Sequence, residues 1–259
     1  MGQYGIGQPV AREEDPYLLR GEGRYVDDIT SDGQLRGYVL RSPLAHAKIN
    51  GIDTNAAEAA PGVRLILTGN TPEVLALGLQ RPMMQRKRRD GSDAPTLAQP
   101  HLAKDRVRYV GDYVAFVVAD TVAQAKDAAE MIMVDYEELP AVVDTAQAVE
   151  PGAPQIWHEA PGNEFFVHQA GDKAATDAAF EKADHVISHR MVINRITTNS
   201  MEPRGCLAEY DTRDDRYIVR CTVQAPHRIR AILASQVFKL SENKFRVISD
   251  NMGGGFGMK

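Results

Sequence analysis

The residues best suited to chemistry in this chain are glycines. Four of them fill the five positions Gly253-Gly254-Gly255-Phe256-Gly257, so only Phe256 carries a β-carbon there. Backbone of that kind can take φ > 0 and bring its N–H groups close to a bulky anionic or metal-bound ligand. The run follows a strand-like stretch, residues 245–249, and reads as a cofactor loop. Such a loop needs a second wall, which is expected from polypeptide beyond Lys259. Other reactive side chains offer less. His46, His101, His158, His168, His185, His189 and His227 form no HExxH or CxxC pattern, so no metal held by protein side chains alone is expected. His227, just after Pro226, reads as structural. Glu202 and Arg204 are expected to pair as opposite charges holding a strand connection. Cys206 and Cys221 lie among apolar neighbours and read as buried, inert thiols.

Composition narrows the classes. With 259 residues, 43% of them hydrophobic, the chain can bury real cores in two compact units. A net charge of −5 argues against nucleic acid or an anionic membrane as partner. The basic cluster Arg86-Lys87-Arg88-Arg89 sits in a polar stretch, residues 83–95, and reads as a solvated loop. Two cysteines are too few for a disulfide framework or an iron–sulfur cluster, and they suit a reducing compartment. No apolar run nears the roughly 20 residues of a membrane span, and residues 1–10 lack a signal-peptide pattern. The expected location is cytoplasmic.

Residues 1–20 show little apolar periodicity and read as an extended arm lying on a neighbour. Strands are expected over residues 37–42, 63–67, 113–119 and 133–137. Short helices are expected near 54–60, from Thr71-Pro72-Glu73, and after Asp120 or Thr121, with Val122, Ala125, Ala129 and Ile132 at helical spacing. The residues 113–119 are almost wholly apolar, which suits a strand covered on both faces. A Pro/Gly-rich connector follows, then a helix over 177–183 and a strand over 185–194. Residues 206–211 and 216–224 flank Thr212-Arg213-Asp214-Asp215 as a hairpin. Pro226 opens a helix with Ile229, Leu233, Val237 and Leu240 along one stripe.

Eight motifs in order then carry a resemblance. They are Gly21-Glu22-Gly23-Arg24-Tyr25-Val26-Asp27-Asp28-Ile29, Arg41-Ser42-Pro43-Leu44-Ala45-His46-Ala47-Lys48-Ile49, Pro61-Gly62-Val63 with Leu67-Thr68-Gly69, Val110-Gly111-Asp112-Tyr113-Val114-Ala115, Asp135-Tyr136-Glu137-Glu138-Leu139-Pro140, Met201-Glu202-Pro203-Arg204, Thr222-Val223-Gln224-Ala225-Pro226-His227 and the glycine run to Lys259. Together they resemble the molybdenum-binding large subunit of the xanthine dehydrogenase, aldehyde oxidase and aerobic carbon monoxide dehydrogenase family, N-terminal portion only. The opening Gln8-Pro9-Val10-Ala11-Arg12-Glu13-Glu14-Asp15-Pro16 looks more like the carbon monoxide dehydrogenase branch.

The resemblance implies an α+β chain: an extended arm over 1–20, an a/b hammerhead domain over 21–147, a connector over 148–163, and the incomplete start of a molybdopterin-binding domain over 164–259. It places Gln224 near the apical oxo ligand of molybdenum and sets Gly254, Gly255, Phe256 and Gly257 against the cofactor through their backbone. The plain alternatives are a glutamine closing the strand-to-helix corner and a tight turn without ligand. The implied cofactor is molybdopterin with Mo, in its cytosine dinucleotide form. Electrons would leave through 2Fe-2S clusters and FAD on partner subunits, because this chain lacks the cysteines and any GxGxxG unit. The general base and the residues that choose among carbon monoxide, purines, aldehydes and N-heterocycles would lie on the remaining molybdopterin-domain polypeptide. A non-catalytic structural or assembly subunit is the second reading.

Overall fold

The computed structural model describes Gly7, residues 9–82 and residues 84–259. Positions 1–6 and 8 of the expected arm, with Gln8 of its motif, lie outside the described residues, as does Met83 of the basic loop. The rest of the arm is not wholly extended. Asp15–Leu18 makes one helical turn, α1, with Pro16 in its first turn, where a missing N–H leaves no bond unmade. The packing divides the chain into two compact units. The larger takes residues 33–195 and 236–239; the smaller takes the described residues up to Asp32, residues 196–235 and residues 240–259.

The larger unit contains β1 (Arg36–Arg41), β2 (Ala47–Asp53), α2 (Asn55–Glu58), β3 (Val63–Thr68), α3 (Pro72–Leu75), β4 (Arg106–Val107), β5 (Tyr113–Ala119), α4 (Val122–Glu130), β6 (Met133–Glu138) and α5 (Lys173–Glu181). Two three-stranded antiparallel sheets result, ordered β1-β5-β3 and β4-β2-β6. Apolar β5 takes the central place of the first, and its Val114, Ala115, Val117 and Ala119 are fully buried. α4 starts where Thr121 Oγ1 accepts from Gln124 N at 3.2 Å. It lays Ala125, Ala128 and Ala129 on that sheet beside Ala57 and Ile132. Alanines let helix and sheet approach closely, so a bulkier residue there would overpack at about 1–3 kcal/mol.

Several elements differ from those expected. β2 was not anticipated, because Lys48, Asn50 and Asp53 break its apolar pattern; pairing with β6 supplies it, with Lys48 Nζ 2.7 Å from Glu137 Oε1 across the strands. Thr71 does not cap α3 through its side chain; its Oγ1 accepts instead from Thr68 N at 2.8 Å. α5 begins before residue 177, because Asp172 Oδ1 accepts from Ala175 N at 2.9 Å and nucleates the turn earlier. The strand expected over 185–194 does not form, and those residues are irregular and exposed. A strand needs a neighbour for its N–H and C=O groups, and no described residue provides one.

The connector is braced rather than loose. Asn163, at φ 58°, donates from Nδ2 to Ala148 O (2.8 Å) and Pro154 O (2.9 Å), and its Oδ1 accepts from Ile156 N (3.0 Å). The basic loop is held by its own unit: Lys87 pairs with Asp93, Arg89 with Glu164, and Arg88 donates to Glu159 O.

The smaller unit contains α1, β7 (Cys206–Asp211), β8 (Arg216–Cys221), α6 (Pro226–Ile232) and β9 (Phe245–Ile248), with sheet order β7-β8-β9. Asp211 Oδ1 accepts from Arg213 N (2.9 Å) and Asp214 N (3.2 Å) and closes the β7–β8 hairpin. β8 stops at Cys221, short of the expected residue 224. β9 lies parallel to β8, and the connection between them contains α6. After Ile232 the helix widens into a π-turn, Leu233–Phe238, and Lys239 at φ 53° ends it. Ser235 Oγ donates to Ala231 O at 2.6 Å and competes for a carbonyl the α-helix would use. Leu240 therefore does not extend one α-helical stripe.

Candidate functional site

Because β8 and β9 are parallel neighbours, their carboxyl ends open on the same edge of the sheet, where α/β crevices receive ligands. The β8 exit leads through Gln224 into α6, and the β9 exit leads into the glycine run. Ser249 Oγ donates to Val223 O at 3.1 Å and ties the two exits together. The fold thereby unites the expected site residues Gln224, Gly254, Gly255, Phe256 and Gly257.

Gln224 Oε1 accepts from Gly257 N at 2.9 Å and from Lys259 N at 3.4 Å. These backbone donors define which end of the amide is oxygen. The Nε2 group is left as a donor with no acceptor among the described residues. Gly255 is buried against this side chain, and a β-carbon there would lie 2.5 Å from Gln224 Cδ. Gly254 has φ 106°, a conformation that a side chain would strain. Phe256, at φ 51°, is exposed.

The loop is pinned on both sides of its middle. Gly253 N donates to Glu202 Oε2 at 2.8 Å, and Met258 N donates to Gly255 O at 2.8 Å. Between these points the N–H groups of Gly254, Gly255 and Phe256 meet no protein acceptor among the described residues. Three consecutive unpartnered amides beside a neutral side-chain amide donor form a cradle for oxygen-rich, anionic groups. A pterin phosphate or a metal-oxo oxygen fits that donor set. Among the described residues no group of three or more His, Cys, Asp or Glu side chains could hold a metal ion.

The charges around the loop differ from expectation. Glu202 does not pair with Arg204; its partner is Lys259, with Nζ to Oε2 at 3.3 Å and side chains only 2% and 13% exposed. The same Nζ donates to Glu202 O at 2.7 Å. Arg204 turns to the main chain and gives Met258 O two bonds, from Nε (3.0 Å) and Nη2 (2.6 Å). A cavity of about 170 Å³ lies beside them, lined by Thr197, Ser200, Glu202, Arg204 and Lys259 among others.

Sequence reasoning missed the role of the chain before Asp32. It lies on its own unit: Asn251 Nδ2 donates to Tyr17 Oη (2.8 Å), Asn251 Oδ1 accepts from Arg24 N (2.8 Å), and Glu202 Oε1 accepts from Val26 N (3.4 Å). An Asn placed just before a glycine run was the available signal. His227 is exposed on α6. Cys221 is buried as expected, and burial, with Cys206 nearby, pushes its thiol to about 11. Cys206 is exposed by area, against expectation, because β7 is an edge strand; desolvation of its sulfur still raises the thiol.

Two family models match the chain: "Aldehyde oxidase and xanthine dehydrogenase, a/b hammerhead domain" over residues 20–140, and "Molybdopterin cofactor-binding domain" over residues 156–259. Among curated relatives, the nicotine 6-hydroxylase large subunit of Paenarthrobacter nicotinovorans is 40% identical over 98% of this chain and 30% of its own length. The carbon monoxide dehydrogenase large chain of Hydrogenophaga pseudoflava is 35% identical over 98% of this chain and 32% of its own. The crystal structure of quinoline 2-oxidoreductase from Pseudomonas putida 86 superposes with a TM-score of 0.84 at 36% identity, over 97% of this chain and 31% of that one. The chain thus spans about 30% of the length of the relatives it matches. No described helix is long and apolar enough to cross a membrane. Paired hammerhead and cofactor-domain matches, on an α+β fold that gathers the glycine loop against Gln224, place the chain in the xanthine dehydrogenase, aldehyde oxidase and carbon monoxide dehydrogenase family, as an N-terminal portion of its molybdopterin-binding large subunit.

Proposed function

We propose that this chain forms one wall of the molybdopterin site of a molybdenum hydroxylase that oxidises a small molecule within a complex. The observation that carries the reading is the row of unpartnered amides at Gly254, Gly255 and Phe256, held between anchored neighbours and beside the Gln224 donor. When bound, the cofactor, in its cytosine dinucleotide form, supplies two-electron oxidation chemistry. The backbone N–H groups bind and orient it. Gln224 Nε2 would donate to an oxygen of the bound group without adding charge beside the metal. Glu202 and Lys259 hold the loop in register. The domain bounds of 21–147 and 164–259, with the connector 148–163, belong to this proposal. So do cytoplasmic location and partners: the remaining molybdopterin-domain polypeptide and the subunits carrying 2Fe-2S and FAD.

The experiment is Gln224→Ala in the assembled complex. Loss of about 1.4 kcal/mol of transition-state stabilisation should slow enzyme reduction by substrate roughly tenfold. Molybdenum content should hold, and stability should fall by about 1 kcal/mol, because the loop loses a side-chain acceptor. Reduction at the parental rate would make Gln224 a corner residue only. The chain alone is expected to bind no stoichiometric molybdenum and to turn over no aldehyde or N-heterocycle, since one wall does not make the site.

A further inference from the structure

From residue 185 to residue 200 the chain has no helix, strand or turn. Among the described residues, no main-chain group from Asp184 to Met201 takes part in a hydrogen bond. Water can meet bare N–H and C=O groups, but the side chains here are not those of a solvated linker. Ile187 is 92% exposed, Ile193 91%, Met191 77% and Val192 75%. Val186 and Ile187, then Val192 and Ile193, are β-branched, and residues 185–195 include neither Pro nor Gly. The segment has strand propensity and apolar bulk but no partner for either.

We propose that residues 185–195 form a strand completed by main-chain pairing with the stretch of molybdopterin-binding polypeptide that, in the relatives, follows the region matched here. This rests on the cofactor-site reading above. The segment falls inside the region matched to the cofactor-binding domain, residues 156–259, while the chain spans about 30% of its relatives' length. The missing cover therefore comes from the remainder of that domain. Strand addition uses main-chain bonds for affinity and alternate side chains for specificity. A second copy of the chain fits poorly. Antiparallel self-pairing that overlays 186–187 on 192–193 sets His189 opposite Arg190, and a one-residue shift sets Arg190 against itself.

The test is hydrogen exchange of the chain alone and of the chain expressed with that stretch, joined to it or separate. Amides of residues 185–195 should exchange at open-chain rates alone and at least about 100-fold more slowly in the assembly. Val192→Pro, which removes a donor at an exposed position, should reduce recovery of the assembly at least about tenfold while the isolated chain melts as before. Protection already present in the chain alone would mean internal pairing, and protection that rises with its concentration would mean a second copy; either overturns the proposal. So does an unaltered yield with Val192→Pro. An assembly that holds molybdenum while residues 185–195 stay unprotected sinks this inference and spares the cofactor reading. An assembly that protects them but holds no molybdenum does the reverse. Failure of the two polypeptides to associate overturns both.

Discussion

Glu202→Ala removes a carboxylate that meets Lys259 Nζ at 3.3 Å, Gly253 N at 2.8 Å and Val26 N at 3.4 Å. The Lys259 side chain is 2% exposed, so its ammonium regains little water in the folded state and keeps Glu202 O as its remaining acceptor. Removing one partner of a buried pair costs about 3–5 kcal/mol, because the other charge is stranded. The surviving main-chain acceptor argues for the low end, about 3 kcal/mol. Each kcal/mol moves the melting point of a domain this size by about 4–8 °C, so the smaller unit should melt about 12–24 °C earlier. Glu202→Gln keeps an acceptor for Gly253 N and should cost nearer 1–2 kcal/mol. The only tryptophan, Trp157, lies in the larger unit, so its fluorescence is the wrong probe. Circular dichroism melts, with amide exchange of Gly253 and β9, report on the smaller unit. A cycle with Lys259→Met should recover at least about 2 kcal/mol of the loss, since the stranded charge is then gone. Glu202→Ala melting with the parent, or a double variant no better than the sum of the singles, would mean that the pair is worth no more than an exposed one.

Gly69→Ala should destabilise the larger unit by about 1–3 kcal/mol, read from Trp157 fluorescence in urea, because its β-carbon would lie 2.4 Å from Ala103 O, a main-chain atom that cannot swing aside; an unchanged midpoint refutes that close approach. With iodoacetamide near pH 8, exposed Cys206 should react before buried Cys221, and Cys221 should react fast only in denaturant. Burial raises the Cys221 thiol from 9.0 to about 11, so its contribution to stability is complete below about 9 and is lost as pH climbs toward 11. Cys221→Ala should flatten that part of the pH–stability curve, and an unaltered slope refutes the assignment. Proteinase K, which cuts with little side-chain preference, should cut first within residues 185–195 rather than in the connector, where Asn163 holds three bonds; a first cut within residues 148–163 would show that brace to be ineffective.

The elements legible in the sequence were those specified by neighbours along the chain. The apolar run of β5, the Thr121 cap of α4, the Asp-rich hairpin turn and Pro226 at the head of α6 each carry their cause within a few residues. The glycine run announced a backbone-lined site, and the order of motifs named the family, because both are written in residue types alone. Tertiary structure decided what depends on a distant partner. β2 is a strand because β6 lies beside it, whereas residues 185–194 carry a strand's composition and remain irregular. Glu202 could have paired with Arg204 two residues away, but the chain brings Lys259 to it instead. Gln224 became the acceptor that anchors Gly257 only because β8 and β9 run parallel and open at the same edge. Composition states which groups need partners; the long-range path of the backbone determines which groups can reach them.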